Sequence, residues 1–197
     1  MSFIGWKQLF AVYFYTALVV CLLAFTPDDG FSWRQKLLFI VSGVLSWTAI
    51  EYALHRFIFH YDARSQFGRK LLYAAHISHH ENPGATYRLF SSLFLSVPIA
   101  TGYLLLARVV AGSWQAASYL FLGLTAGYFC YEWLHFQAHH RRPRLRLFRY
   151  LRRYHLLHHY QTPELRFGVT SPFFDVMFGT FRSHKRAQRG TKVFLNH

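Results

Sequence analysis

Residues 154–180 read YHLLHHYQTPELRFGVTSPFFDVMFGT and contain three histidines, one aspartate and several phenylalanines. On a helix, His155 and His159 lie one turn apart on one face, whereas His158 lies on the flank beside them. Two imidazoles one turn apart can chelate one metal ion, and the third can reach a second ion. A single HxxHH motif is equally compatible with a structural or surface role. Its meaning therefore depends on the rest of the chain.

Three further histidine clusters precede this stretch. Eleven of the 13 histidines fall into the four clusters, of which the first three are His55 and His60; His76, His79 and His80; and His135, His139 and His140. Chance placement does not explain this grouping, and a metal centre does.

The composition indicates a membrane protein that forms a single domain over residues 1–197. Hydrophobic residues make up 53% of the chain and charged residues 15%, which is too apolar for an ordinary soluble domain. The net charge is +14, and thirteen of the 22 Lys and Arg residues follow His140. We expect this basic region to face anionic lipid headgroups and not nucleic acid. Residues 141–154 are predicted to form an interfacial helix on the bilayer, with a solvated basic linker as the alternative.

Long apolar runs predict four transmembrane helices, at residues 9–26, 33–54, 89–110 and 115–134. The first run lacks a small-residue cleavage site after it, which favours a retained helix over a signal peptide. Small residues within the later runs are expected to allow close helix packing: Ser91, Ser92, Gly102, Gly123 and Gly127. Cys21 and Cys130 lie in apolar runs and are expected to be buried, without a disulfide. Residues 55–88 and 135–197 are predicted to form a helical cap.

The spacing of the runs places all four histidine clusters on one side of the membrane. His80 and His135 are separated by two spans of about 20 residues, each about 30 Å long as a helix. The chain therefore crosses the bilayer and returns. The loops on the opposite face carry only Arg34, Lys36 and Arg108. By the positive-inside rule, the histidine face and both termini are predicted to be cytosolic.

The number and type of candidate ligands favour two metal ions. Ten or eleven histidines exceed the need of one tetrahedral zinc ion, and a structural zinc site more usually includes cysteines. No HExxH motif is present, which argues against a zinc protease. Imidazole also suits iron. An all-nitrogen dimetal site at a membrane surface suits iron that binds dioxygen and directs it at an aliphatic C–H bond.

Helical spacing shows how these histidines can divide between two metals. Three pairs at i,i+4 can each face one metal: His76 and His80, His135 and His139, and His155 and His159. His79 and His158 lie at i+3 and can reach the second metal. His55 and His60 are five residues apart and need a helix end or a distortion to converge. Three histidines are expected not to be ligands: His140, His184 and His197.

Three acidic residues are candidates for support of the ligands. Glu51 and Glu132 each shortly precede clustered histidines and could accept a hydrogen bond from a ring N–H, which would fix the metal-binding tautomer. An interfacial carboxylate paired with an arginine is the alternative. Asp175 is costly to bury without a partner, and we expect it to bond a ligand histidine or a helix start.

The chain resembles the fatty acid hydroxylase and sterol desaturase superfamily in four motifs: EYALHRFIFH (51–60), HISHH (76–80), HFQAH (135–139) and HLLHHYQTPELRFGVTSPFFDVMFGT (155–180). The last motif is most similar to the fatty acid 2-hydroxylase branch, and the resemblance covers roughly residues 50–182. It implies an all-α membrane enzyme with four transmembrane helices and a cytosolic cap that holds two metals. Iron is the implied metal of the active form, and zinc can occupy the site in purified material.

The resemblance also implies ten ligands. One metal would be bound by His55, His60, His76, His80 and His158, and the other by His79, His135, His139, His155 and His159. Many eukaryotic members carry an N-terminal haem domain, whereas this chain begins at its first predicted membrane helix. We therefore expect a separate reductase or electron-transfer protein, and a bacterial inner-membrane location, or the endoplasmic reticulum if the protein is eukaryotic.

These expectations define a di-iron monooxygenase that uses O₂ to hydroxylate an aliphatic C–H bond of a lipid, with fatty acyl chains as the leading substrate. Residues 167–181 would wall the acyl pocket or pack the cap against the bilayer. A sterol or carotenoid hydroxylase and a lipid desaturase would use the same histidines. A histidine-rich metal transporter or metal-binding protein is the non-enzyme alternative, but it should place ionisable ligands near mid-bilayer, where these spans have none.

Overall fold

The computed structural model describes residues 6–85 and 93–183, and within these ranges the regular structure is entirely helical. The helices are α1 (Trp6–Phe25), α2 (Trp33–Ala53), π1 (Leu54–Phe59), α3 (Gln66–Leu72), π2 (Tyr73–Ile77), α4 (Ser78–Glu81), α5 (Leu93–Ala111), α6 (Trp114–His140), α7 (Arg146–Tyr160) and α8 (Phe173–Met177). The two labelled π are π-helical. The prediction of an all-α chain is confirmed for this part of the protein.

Helix α6 is the central element, since α1, α2, α5 and α7 all pack against it. The main apolar core lies where α1 and α2 meet α6, and its buried members are Tyr15, Val19, Trp47, Phe121, Leu124 and Tyr128. Three rings of this core pack edge to face, with Tyr15 and Trp47 both against Tyr128. This arrangement is favourable for aromatic pairs.

Glycines allow helices α2 and α6 to approach each other closely. A Cβ at Gly43 or at Gly123 would lie within 3.0 Å of backbone atoms of the facing helix, and a Cβ at Gly127 would meet the Trp47 side chain. Glycine is thus required for this spacing. The prediction is confirmed for Gly123 and Gly127, but it is wrong for Gly102, which has nothing within 4 Å. Ser91 and Ser92 lie outside the described residues.

Apolar surface faces outward on the helices that lie around α6. Within the described residues, Trp33–Phe59 and Leu93–Ala111 are long and apolar enough to cross a membrane, and their most apolar windows are only 17% and 6% buried. Helix α1 carries a shorter apolar stretch, Leu9–Phe25. Cys21 and Cys130 lie on this outward surface, so the prediction that they are buried is wrong. Apolar surface of this extent is favoured against lipid and not against water.

The two ends of helix α6 have different surroundings. At its start, the Gln115 side chain donates to Asp28 Oδ1 at 2.7 Å and accepts from the Asp29 N–H at 2.9 Å, while the Ser113 hydroxyl donates to Asp29. The two short loops predicted to lie on one face are thus joined there. The other end, about 40 Å away along the helix, carries His135 and His139.

Several boundaries differ from the predicted ones. Helix α6 is longer than its predicted span of 115–134 and ends at His140, and the predicted start of the third span at Leu89 lies outside the described residues. Helix α7 begins at Arg146, so the helix predicted over 141–154 is displaced toward the C-terminus. The extended conformation of Arg141 and the presence of Pro143 explain the break.

Candidate metal centre

Ten histidines gather at the C-terminal end of α6 in two groups of five. Group A comprises His55, His60, His76, His80 and His158, and group B comprises His79, His135, His139, His155 and His159. Within each group, one ring nitrogen of every histidine lies within 4.8 Å of the others. This is the same division that the family resemblance implies.

The remaining histidines do not join either group. His140 packs its ring against Phe136, with centroids 4.9 Å apart, and it is absent from both groups. That it is not a ligand stays a prediction. His184 and His197 lie outside the described residues.

A π-helical turn brings His55 and His60 together. The His60 N–H donates to the His55 carbonyl at 3.3 Å, which is the i→i+5 bond of a π-helix. This wider turn places residues five apart on one face, and the two ring centroids lie 5.1 Å apart. The π-helical turn π1 is therefore the helix distortion that the spacing of five residues between His55 and His60 predicted.

The HISHH cluster serves both groups. His76 and His80 belong to group A, where their Nε2 atoms lie 2.8 Å apart. His79 points to group B, where its Nε2 lies 2.9 Å from that of His135 and 3.1 Å from that of His139. The i,i+4 pair and the i+3 residue are thus directed to different groups, as helical spacing predicts.

Helix α7 contributes to both groups in the same way. His155 and His159 face group B, with their ring centroids 4.5 Å apart, and His158 faces group A, 4.5 Å from the ring of His55. All three are at least largely buried. Because α7 packs against α6, the i,i+4 pairs of the two helices meet in group B.

Burial keeps these imidazoles neutral. Burial, with smaller contributions from the neighbouring His60 and His79, lowers the pKa of His80 to about 3. Burial also lowers the pKa of His60 and of His79 to about 4 each. At neutral pH the rings are therefore uncharged, and each has a nitrogen lone pair free for a cation.

In group A, two rings are oriented by backbone carbonyls. His55 Nδ1 lies 2.5 Å from the Phe167 oxygen, and His158 Nδ1 lies 2.7 Å from the Leu165 oxygen. A carbonyl can only accept, so Nδ1 carries the proton and Nε2 carries the lone pair. The Nε2 atoms of His55 and His158 are buried and have no hydrogen-bond partner among the described residues. These two orphaned lone pairs fit a metal ion in group A.

In group B, most Nδ1 atoms have no bond to a backbone carbonyl of the kind found in group A. The Nδ1 atoms of four members are buried and hydrogen bond to no atom in the described part of the chain: His79, His135, His155 and His159. The rings of group B are therefore held by the packing of their helices.

The buried acids bond to backbone and not to histidine rings, contrary to the prediction. Asp175 is fully buried and accepts from the N–H groups of Phe167 and Gly168, both at 2.8 Å. Glu51 is 4% exposed and accepts from the N–H groups of Val169 and Thr170.

The third candidate acid lies on α6. Glu132 is buried and hydrogen bonds with the Tyr128 side chain one turn earlier, so its described partner is a tyrosine.

Sequence reasoning missed the carbonyls of Leu165 and Phe167 because a backbone group has no residue signature. One available signal was Gly168, where a Cβ would come within 3.0 Å of the Ser171 carbonyl oxygen. Such a contact marks a tightly packed loop.

The fold and the paired histidine groups define a class of protein, and comparison with known proteins agrees. The chain belongs to the fatty acid hydroxylase family, whose model, described as "Fatty acid hydroxylase", matches residues 40–180. This range contains both histidine groups and the loop that contacts group A. The family predicted by resemblance is thus confirmed.

Individual relatives are named as hydroxylases of fatty acyl groups or fatty acids. The dihydroceramide fatty acyl 2-hydroxylase FAH2 of Arabidopsis thaliana is 34% identical, over 87% of this chain and 72% of that protein. The ceramide very long chain fatty acid hydroxylase SCS7 of Saccharomyces cerevisiae is 41% identical, over 71% of this chain and 36% of that protein. The fatty acid 2-hydroxylase of Rattus norvegicus is 31% identical, over 71% of this chain and 38% of that protein.

A solved structure shares the fold. The structure described as full-length scs7p, in which only the hydroxylase domain is visible, superposes with a TM-score of 0.73 at 32% identity. The match covers 89% of this chain and 64% of that one. Family membership and this likeness together support a lipid-hydroxylating enzyme.

Proposed function

We propose that this protein is a membrane-bound di-iron monooxygenase that hydroxylates an aliphatic C–H bond of a lipid, using O₂ and an external electron donor. The observation that carries the proposal is the pair of buried five-histidine groups at one end of an apolar helical bundle. Fatty acyl chains are the proposed substrate, since the similar proteins are named as fatty acyl and ceramide hydroxylases.

Each group is proposed to hold one iron ion. Two nitrogens bound at about 2.1 Å and about 90° apart would be separated by about 3.0 Å. The closest Nε2 pairs, 2.8 to 3.1 Å apart, match this spacing. Five nitrogen ligands leave one position open in a six-coordinate ion. Bound iron would supply the activation of dioxygen, and zinc could fill the same sites in purified material.

An apolar cavity lies close to group A, and its lining, not its volume, favours an apolar substrate. It has a volume of about 40 Å³ and lies between the membrane helices, where its lining includes Trp47, Leu54 and Phe59. Phe59 also connects the cavity to the metal centre, because its ring stacks on the ring of His76 in group A, with centroids 5.0 Å apart. Residues 167–181, predicted as one wall of the acyl pocket, do not line this cavity.

The proposed topology is a single domain with four transmembrane helices, α1, α2, α5 and α6, and a cytosolic cap. The short helix α8 supports contact of the cap with the bilayer, because Phe173, Val176 and Met177 are more than half exposed. It lies beside the end of α2, where Phe178 stacks on Tyr52 at 5.5 Å. Exposed apolar side chains beside a membrane helix favour an interfacial location. A bacterial inner membrane remains the proposed site.

The reaction requires two electrons that histidine side chains do not supply. We therefore keep a separate reductase or electron-transfer protein as the proposed partner.

Lipid analysis of the native host tests the function. Total lipids would be compared by mass spectrometry among the wild type, a deletion strain, and the deletion complemented with His158→Ala or with the control His140→Ala. A lipid with one additional oxygen should disappear in the deletion, return with His140→Ala and stay absent with His158→Ala. Loss of two hydrogens in place of a gained oxygen would favour a desaturase. Unchanged lipids would contradict the proposal.

A further inference from the structure

We propose that residues 165–170, here called the carbonyl loop, form a backbone clamp that orients two ligands of group A only. Glu51 and Asp175 act as positioning residues that hold this loop. The inference rests on the proposed metal-binding role of the histidine groups and assigns a function to the two buried acids.

The clamp acts through alternate carbonyls. Leu165 accepts from His158 Nδ1 and Phe167 accepts from His55 Nδ1, at 2.7 and 2.5 Å. The two histidines come from different parts of the chain, π1 and α7, so one loop sets the orientation of both. The Phe167 ring adds to this contact, with its centroid 5.6 Å from each of the two histidine rings.

The loop is held by a bond at each of five consecutive amides. The Arg166 N–H donates to the Thr180 carbonyl at 3.1 Å. The next two amides, of Phe167 and Gly168, donate to the two oxygens of Asp175, and the following two, of Val169 and Thr170, donate to Glu51 Oε1. Two carboxylates thus fix four of these peptide units, and with them the direction of the Phe167 carbonyl.

Asp175 is itself fixed on several sides. The Thr180 hydroxyl donates to Asp175 Oδ1 at 2.7 Å, and the Tyr52 hydroxyl lies 3.0 Å from the Thr180 hydroxyl. Tyr154, which precedes the first histidine of α7, also interacts electrostatically with Asp175. A buried carboxylate with this many donors is a rigid anchor, and removal of its acceptor capacity would leave buried N–H groups unpaired.

The residue between the two carbonyls has an unusual conformation. Arg166 has φ +63° and is 2% exposed, and its guanidinium donates to the Arg182 carbonyl and to the Thr162 hydroxyl. A non-glycine residue persists in this left-handed region only where its surroundings hold it there. The local backbone is therefore determined by the clamp contacts and not by its own preference.

The clamp reaches one group and not the other. No member of group B hydrogen bonds to the carbonyl loop within the described residues, and the Nδ1 atoms of four of its members have no partner there. Loss of the clamp should therefore weaken the metal of group A and spare that of group B.

Metal stoichiometry tests this selectivity. The full chain, purified in detergent and loaded with ferrous iron or with zinc, should bind two ions per chain. Asp175→Asn and Glu51→Gln keep the side-chain shape but replace an acceptor oxygen by a donor. In each, one of the two ions should bind about 10- to 100-fold more weakly while the other is unchanged. Asp28→Asn makes the same change at the far end of the bundle and should keep two tight ions.

Double variants identify the ion that is lost. Asp175→Asn combined with His135→Ala should bind no tight ion, because both groups are damaged. Asp175→Asn combined with His158→Ala should still bind one, because both changes affect group A. The clamp would be overturned if the two double variants gave the reverse result. It would also be overturned if Asp175→Asn alone lost both ions or kept the wild-type affinity for both. Fewer than two ions in the wild type would instead contradict the proposed function.

A milder change covers the case in which the acid variants fail to fold. Thr170→Val removes only the hydroxyl that donates to Glu51 Oε2 at 2.5 Å and keeps both carboxylates. Circular dichroism should show unchanged helix content, and the affinity for one ion should fall by less than 10-fold. Equal weakening of both ions in Thr170→Val would also overturn the inference.

Discussion

Group A and group B contain the same number of histidines but are built differently. Group B takes two i,i+4 pairs from α6 and α7, two α-helices that pack against each other, and adds His79. Group A has one i,i+4 pair, His76 and His80, of which His76 lies in π2. Its other members are His55 in π1, His60 directly after π1, and His158 on α7.

The difference in support follows from this difference in origin. A regular helix fixes the direction of a side chain through its own hydrogen bonds and packing, so group B needs little further help. A π-helical turn and a lone residue fix it less well. Group A accordingly has carbonyl bonds to His55 and His158, and those carbonyls belong to a loop tied down by Glu51 and Asp175. Where regular helix does not orient the histidines, hydrogen bonds to backbone carbonyls do so instead.

The largest expected effect comes from removal of one ligand in either group. His158→Ala in group A and His135→Ala in group B should each lower product formation by more than about 100-fold, since loss of a ligand exceeds loss of its support. Each variant should retain one tight metal ion, measured by elemental analysis. His140→Ala, outside both groups, should change activity less than about 2-fold. If His140→Ala lowered product formation as much as His158→Ala or His135→Ala does, the division into two groups would be wrong.

Displacement of the carbonyl loop should have the next largest effect. In Gly168→Ala the new Cβ would meet the Ser171 carbonyl oxygen and approach Asp175 Oδ2 at 3.0 Å, so the loop must move. We expect a loss of about 10- to 100-fold in the affinity of one metal ion, measured by competition with a chelator. Gly102→Ala, where the new Cβ has nothing within 4 Å, is the matched control. Wild-type affinity at both sites in Gly168→Ala would argue against a rigid loop.

Metal removal should separate the two groups in the wild-type protein. A hydrogen bond at Nδ1 fixes the tautomer of a ring and raises its basicity, which helix packing does not do, so the ion of group B should be released first, about 10-fold faster than that of group A. Stopped-flow measurement with a chromogenic chelator should then resolve two phases of equal amplitude. His135→Ala should lack the fast phase and His158→Ala the slow one. The opposite assignment would mean that helix packing supports a ligand better than the carbonyl bonds do.

The smallest effect on the centre should come from the opposite end of the bundle. Gln115→Ala removes two hydrogen bonds to the loop that carries Asp28 and Asp29, which should lower the free energy of unfolding by about 1 kcal/mol per bond. Both metal affinities should stay at the wild-type value. A change in metal content would indicate that the two ends of α6 are coupled.

Histidine spacing alone predicts much of the centre. Helical geometry directs His76 and His80 to one group and His79 to the other, and it does the same for the histidines of α7, because i,i+4 and i,i+3 relations hold wherever the segment is helical. The need for a distortion between His55 and His60 follows from their spacing of five. That these ten histidines bind metal stays a prediction.

Three of the errors have a common cause. The expectations for Cys21, Cys130 and Gly102 rest on apolar context alone, and such context does not show which face of a helix points inward when the outer face is apolar too. For the same reason, the sequence does not single out Gly43, which lies where α2 and α6 approach closely. Glu51 and Glu132 were expected to touch histidines because they shortly precede them in sequence, which is a second and separate cause of error.

The sequence by itself determined an all-helical, apolar chain with histidine pairs at i,i+4 and further histidines at i+3 that point to different groups, since side-chain type and helical period are local properties. Only the tertiary structure decided how those groups are supported. The carbonyls of Leu165 and Phe167, and the amides that bond Glu51 and Asp175, are groups of a kind that every residue of the loop carries. They acquire their partners only when the carbonyl loop, α2 and α8 come together, and no pattern of residues marks which backbone groups will meet.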